Sequence, residues 1–203
     1  MLERAYLDIE TSYGGEITIV GIFRPPDDLV QIVHPEVCQE NLLRALEGAE
    51  RLVTYWGHRF DLPVIHRCLG VNLRRRFRSK DLADHCHRHR LYGGLKAVEK
   101  MLGVGRVSEG ITGIDAMRLW EEWLRGDGSS LKTLLKYNEE DVVNLYLIEK
   151  ELDRFDAEAA GREALSRETS IHKASSPEDS NGARVHQRVF GECIPGECAS
   201  EEI

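Results

Sequence analysis

The chain has 203 residues, with 27 lysines and arginines against 35 aspartates and glutamates, for a formal net charge of −8. That length supports one good core plus a tail rather than two domains, no stretch approaches the roughly twenty apolar residues of a membrane span, and five scattered cysteines give no disulfide framework. The opening MLERAYLDIE enters a strand pattern almost at once, without a signal peptide, so a cytoplasmic, reducing setting is expected.

Strands are predicted over 4–11, 16–24 and 28–34. Tyr13-Gly14-Gly15-Glu16 turns the first into the second as an antiparallel hairpin, and Pro25-Pro26-Asp27-Asp28 turns the chain into the third. A helix is expected over 41–49, a fourth strand over 51–56, a helix over 62–69 with Pro63 in its first turn, and a fifth strand over 77–84. From Leu95 the pattern is helical: 95–102, 114–124, and a long segment over 130–155 in which Leu134, Leu145, Ile148 and Leu152 form an apolar stripe. The four glycines of 103–113 lack phosphate-loop spacing and read as a linker that turns the following helices back over the site. Trp120 and Trp123 read as packing residues at helical spacing. From Ala157 the chain is rich in Ala, Glu, Ser and Gly, which cannot bury enough surface to offset ordering entropy, so a disordered acidic tail is expected over 156–203. Within it, RVHQRVF at 184–190 is the candidate anchor for a protein partner.

Three short stretches carry acids where apolar residues are expected. Asp8 and Glu10, in YLDIET, sit two apart in the first strand, so both carboxylates leave the same face. A carboxylate buried without a partner is costly or takes up a proton, so acids clustered in apolar sequence point to bound cations. Their hard oxygen ligands suit Mg²⁺ or Mn²⁺. Asp141 lies on the apolar stripe of the last helix, with Tyr137 one turn before it. Asp61, in YWGHRFDLP, falls near a helix N-terminus, where taken singly it reads as a cap. Taken with Asp8, Glu10 and Asp141, it is the fourth member of a metal cage.

The charge is unevenly spread. Residues 151–203 hold twelve acids and six bases, while Arg74, Arg75, Arg76, Arg78, Lys80, Arg88 and Arg90 face only Asp81 and Asp84 within 74–90. Such a strip either holds phosphates or is a solvated loop. His85-Cys86-His87-Arg88-His89, and Cys193 and Cys198 after His186, lack standard zinc spacing.

These acids resemble the three motifs of the DEDD superfamily of 3′-to-5′ exonucleases. The first, D-x-E, is Asp8-Ile9-Glu10; the second, F-D, is Phe60-Asp61; the third, Y-x-x-x-D, runs from Tyr137 to Asp141 and marks the Tyr subtype. The surrounding text looks most like the YprB-type ribonuclease-H-like domain over residues 4–153. The resemblance implies an α/β, ribonuclease-H-like fold over 1–155, with a mixed five-stranded sheet, its first three strands antiparallel, flanked by helices. It also implies a hydrolase that uses two divalent cations, Mg²⁺ or Mn²⁺, to release nucleoside 5′-monophosphates from the 3′ end of single-stranded DNA or RNA. Asp8 would bridge both ions, Glu10, Asp61 and Asp141 would complete their shells, and Tyr137 would orient the attacking water. Thr11, Trp56, His58 and Phe60, with Arg74, Arg75, Arg76 and Arg78, would contact nucleic acid. One departure stands out: the family shows Asn-Gly where this chain has Trp56-Gly57, and Trp56 reads either as a stacking face for a base or as a strand-end core aromatic. Two other readings stay open. One is a non-catalytic nucleic-acid-binding module, and the other is a nuclease subunit of a larger DNA or RNA processing complex.

Overall fold

The computed structural model describes residues 3–174. Strands β1 (Arg4–Thr11), β2 (Ile17–Arg24) and β3 (Asp28–Val33) form an antiparallel meander, and β4 (Arg51–Thr54) and β5 (Arg78–Asp81) add in parallel on the other side of β1. The spatial order β3-β2-β1-β4-β5 is the expected mixed five-stranded sheet. The helices are α1 (Gln39–Ala45), α2 (Asp61–Leu69), α3 (Leu73–Arg76), α4 (Leu82–Arg88), α5 (Leu95–Leu102), α6 (Gly113–Leu124) and α7 (Gly128–Ala174).

The central strand is apolar on both faces because helices cover both. Ala5, Leu7 and Ile9 pack with Leu42 of α1 and Leu62 and Ile65 of α2. Tyr6 points the other way, into a second core with Leu82 and Cys86 of α4, Val98 of α5, and Val142, Leu145, Ile148 and Leu152 of α7. A third cluster joins Ile19 to Trp120 of α6 and to Leu134 and Tyr137 of α7. Asp8 and Glu10 share the parity of Tyr6, so they face α7. The fully buried leucines and isoleucine of α7 each stabilise by about 1.5–3 kcal/mol relative to exposure, and this packing presses Tyr137 and Asp141 against β1.

Several boundaries differ from expectation. The fifth strand stops at Asp81, whose carboxylate accepts from Ala83 N at 3.1 Å and starts α4. α3 was not expected; Asn72 begins it by accepting from Arg75 N at 3.2 Å. β4 ends at Thr54 rather than Trp56, because Trp56 takes φ 57, outside the extended region. α7 does not end near 155 but continues to Ala174, taking in the first part of the expected tail. Pairs such as Arg154 with Glu158 at 3.8 Å and Arg167 with Glu163 at 4.0 Å support that solvated stretch. The chain divides into compact units 1–161 and 162–203. The first holds the whole sheet, and in the second 162–174 is helix. RVHQRVF, His186, Cys193 and Cys198 lie outside the described residues. Among the described residues, no helix is long and apolar enough to cross a membrane.

Candidate active site

The sequence brings four acids to one place by three routes. β1 supplies Asp8 and Glu10 from one face, just before a register shift between Glu10 and Thr11. α7 supplies Asp141, and ligand oxygens of Asp8, Glu10 and Asp141 lie within 4.8 Å of one another. Asp61 opens α2, but its Oδ1 accepts from Ile9 N of β1 at 3.1 Å, so it ties α2 to the central strand. Glu10, Asp61 and Asp141 are 7%, 4% and 5% exposed, while Asp8 keeps partial access to solvent.

The acids floor a cleft of about 330 Å³, walled by Tyr55, Trp56 and Phe60 on one side and by Gly113, Met117 and Tyr137 on the other. Thr11 also lines it. Phe60 remains 48% exposed beside the buried Asp61. The other expected nucleic-acid contacts are not brought to this cleft. His58 turns toward β5, its ring bonded to Ser79 Oγ at 2.5 Å. Arg74, Arg75 and Arg76 sit on α3 and Arg78 begins β5, in register with Arg51 and Arg4 at the starts of the parallel strands. Asp8 lies four residues beyond Arg4, about 13 Å along the strand. These four arginines are therefore at the end of the sheet away from the acids.

The turn carrying Trp56 is tightly specified. A Cβ at Gly57 would lie 2.3 Å from Thr54, so only glycine fits. Asp81 accepts from Trp56 N at 2.8 Å and from His58 N at 3.1 Å, which holds Trp56 at its positive φ. That conformation suits asparagine or glycine and costs other residues roughly 1–2 kcal/mol. The family's asparagine at this position thus has a backbone reason. Trp56 packs edge-on against His87 at 5.4 Å between ring centroids and receives Arg59 over its face at 4.4 Å.

The electrostatics of the cluster call for a cation. Desolvation first, and then the charges of Asp141, Asp61 and Glu10, push the Asp8 carboxyl well above its ordinary range. Glu10 is raised by burial and by Asp141. Burial, partly offset by backbone hydrogen bonds including that from Ile9, pushes Asp61 up to about 7. Burial also pushes Asp141 up to about 6, against the pull of Arg106. Glu10 Oε1 is buried without a hydrogen-bond partner. An all-oxygen donor set with an orphaned carboxylate oxygen and mutually repelling charges fits a hard divalent cation such as Mg²⁺ or Mn²⁺.

Sequence reasoning missed Arg106, Lys96 and Asn138, which surround the acids. Arg106, from the glycine-rich linker, bonds Asp141 and Glu99, at 2.7 Å to Glu99 Oε1. It is delivered there because Glu140, next to Asp141, accepts from Val107 N and Ser108 N, both at 3.0 Å. Lys96 Nζ donates to Tyr137 Oη at 3.2 Å and lies 4.4 Å above its ring. Asn138 Nδ2 donates to Asp8 Oδ2 at 3.4 Å. Only Asn138, adjacent to the Tyr137 motif, carried a sequence hint.

His85, His89 and Asp156 also cluster. Both ring Nε2 atoms bond Asp156, at 2.9 and 2.8 Å, while His85 Nδ1 is buried without a partner. A metal on Nε2 would force the imidazole proton onto that buried Nδ1, which has no acceptor. The cluster therefore reads as a hydrogen-bonded clamp between α4 and α7.

Solved structures that share this fold include a DNA polymerase and NrnC. The family B DNA polymerase from the hyperthermophilic archaeon Pyrobaculum calidifontis superposes with a TM-score of 0.61 at 18% identity, covering 75% of this chain and 24% of the polymerase. This chain thus spans about a quarter of that protein. NrnC of Brucella melitensis, solved bound to pGG, gives a TM-score of 0.52 at 20% identity, covering 90% of this chain and 92% of NrnC. A sequence comparison with curated proteins gives no significant match. The family model RNase_H_2 matches residues 5–153, the segment that holds all four acids and the sheet apart from its first residue, and the chain belongs to the RNase_H superfamily.

Proposed function

We propose that this chain is a metal-dependent 3′-to-5′ exonuclease of the DEDD type, Tyr subtype, acting on single-stranded nucleic acid. The observation that carries the reading is the convergence of Asp8, Glu10, Asp61 and Asp141 with Tyr137 in one cleft, with a Glu10 oxygen left unpartnered. The two structural neighbours, a DNA polymerase and a protein solved bound to pGG, agree with a nucleic-acid ligand.

Asp8, Glu10, Asp141 and the second oxygen of Asp61 would hold two divalent cations. When bound, such ions supply an activated water and stabilise charge on the leaving 3′ oxygen. Tyr137 works as a donor: burial and the nearby carboxylates raise its pKa, so the phenol stays protonated. Its oxygen already accepts from Lys96, which leaves its own proton free for a water or phosphate oxygen. Trp56 and Phe60 offer apolar faces for the terminal bases, and base stacking tolerates any sequence. A cleft of about 330 Å³ suits one terminal nucleotide better than a duplex.

The test is a time course on 5′-labelled single-stranded RNA and DNA with Mg²⁺, Mn²⁺ or EDTA, beside Asp8→Asn and Asp141→Asn. A metal-dependent ladder that shortens from the 3′ end and is absent in both variants supports the reading. Full cleavage in both folded variants would overturn it.

A further inference from the structure

Asp8 stands opposite Gly21 in the antiparallel register of β1 and β2. A Cβ at Gly21 would lie 2.2 Å from Asn138 Oδ1, a collision with the head of a fully buried side chain. That side chain reaches across the sheet from α7 through the space where β2 has no side chain.

Its amide can face only one way. Gln31 Nε2, on β3, donates to the main-chain carbonyl of Leu135 at 2.8 Å, and a main-chain carbonyl is an acceptor that cannot flip. The same Gln31 amide donates to Asn138 Oδ1 at 3.1 Å. Asn138 Nδ2 is left to donate to Asp8 Oδ2 at 3.4 Å. A flipped Asn138 would set its NH₂ against the NH₂ of Gln31 and its oxygen against a carboxylate. Orientation thus passes from Leu135 O through Gln31 and Asn138 to Asp8 of β1.

We infer that Asn138 is a positioning residue for the cation site, a neutral donor that fixes the Asp8 carboxylate with its other oxygen toward the metal, and that Gly21 is the gap that admits it. The inference rests on the metal-dependent reading above. The neutral amide matters because a cationic donor here would compete with the cation, while an apolar residue would leave the adjacent carboxylate oxygen without a donor.

The test is Mn²⁺ binding to the full chain, read as free Mn²⁺ by electron paramagnetic resonance, with melting curves in EDTA and cleavage run in parallel. Asn138→Ala and Gly21→Ala should each weaken Mn²⁺ binding about tenfold, the scale of one hydrogen bond to a charged group. Adding Gly21→Ala to Asn138→Ala should cost less than about twofold more, because the amide it displaces is already gone. A residue that only fills space would shift the melting temperature and leave Mn²⁺ affinity alone, and that result would overturn the inference. Multiplying losses of about a hundredfold in the double variant would also overturn it. Should Asn138→Ala not fold, Asn138→Ser carries the same expectation with a smaller cavity. If the wild type cleaves and binds Mn²⁺ but Asn138→Ala binds equally well, the positioning role fails and the exonuclease reading stands. If the wild type binds Mn²⁺ but never cleaves, the exonuclease reading fails, and the variant comparison still decides the positioning role.

Discussion

Replacing Trp56 with asparagine separates a substrate contact from a packing residue. Its φ of 57 is a conformation that costs a tryptophan roughly 1–2 kcal/mol and an asparagine little. Against that gain stands the loss of the Arg59 contact over the ring, at 4.4 Å, worth about 0.5–1 kcal/mol. The edge contact to His87 adds about 0.5–1.5 kcal/mol. The two sides nearly cancel, so Trp56→Asn should change unfolding free energy by less than about 1 kcal/mol. If the ring stacks on a base, the same change removes about 1–3 kcal/mol of binding, roughly a 5- to 150-fold weaker Kd. Urea denaturation gives the first quantity. Fluorescence anisotropy with a labelled single strand gives the second, in an Asp141→Asn background so that the strand survives the titration. Trp56→Phe should keep most of the affinity. A loss of more than about 2 kcal/mol in stability with unchanged Kd would show that the ring serves the core, and the stacking argument would fall.

Arg106→Ala leaves Glu99, 2% exposed, and Asp141 without the Arg106 guanidinium; urea denaturation in EDTA should show a loss of about 3–5 kcal/mol, and an unchanged midpoint would contradict the pairing. Excess Mg²⁺ should recover part of that loss through Asp141 and none through Glu99. Glu149 loses solvation on burial, but hydrogen bonds from Lys80 at 2.7 Å and Tyr6 at 2.5 Å outweigh this and hold its pKa below the ordinary value of 4.5. A depressed carboxylate adds stability that is complete above the unfolded pKa and fades as pH falls through the folded one. Glu149's share of stability should therefore fade from pH 6 to pH 3, while the raised carboxyls of Asp8, Glu10, Asp61 and Asp141 act in the opposite direction; the gap between wild type and Glu149→Gln should be about 1–3 kcal/mol at neutral pH and shrink toward pH 3, and a gap that stays constant would refute the assignment. Gly57→Ala drives a Cβ to 2.3 Å from Thr54 and should destabilise by about 1–3 kcal/mol, with reduced cleavage because Phe60 and Asp61 follow directly. Normal melting and turnover in Gly57→Ala would show that the turn is not constrained as described.

Three of the four acids were legible because each interrupts a pattern. Asp8 and Glu10 break an apolar strand, and Asp141 breaks an apolar helical stripe, so each needed a reason to be there. The meander was legible because its turns are short and rich in glycine and proline. What the sequence concealed depends on pairing across the fold. Gly21 looks like a weak point in a strand until its register opposite Asp8 is known. Arg106 sits in a glycine-rich linker, and nothing local shows that Glu140 will pin that linker beside Asp141. The arginines at 74–78 suggested a phosphate track by composition alone, yet parallel pairing puts Arg78 beside Arg51, at the end of the sheet away from the acids. The end of β5 was misjudged because Leu82 and Ala83 continue the apolar pattern, while the capping carboxylate of Asp81 ends the strand.

The most direct test of the central claim is the first product from a single strand labelled in its 3′-terminal nucleotide, with Mg²⁺ or Mn²⁺, beside Asp8→Asn. Labelled nucleoside 5′-monophosphate should appear before any other labelled species, and the variant should release none. Labelled oligonucleotides as first products would contradict cleavage from the 3′ end, and equal mononucleotide release by Asp8→Asn would contradict the carboxylate site itself.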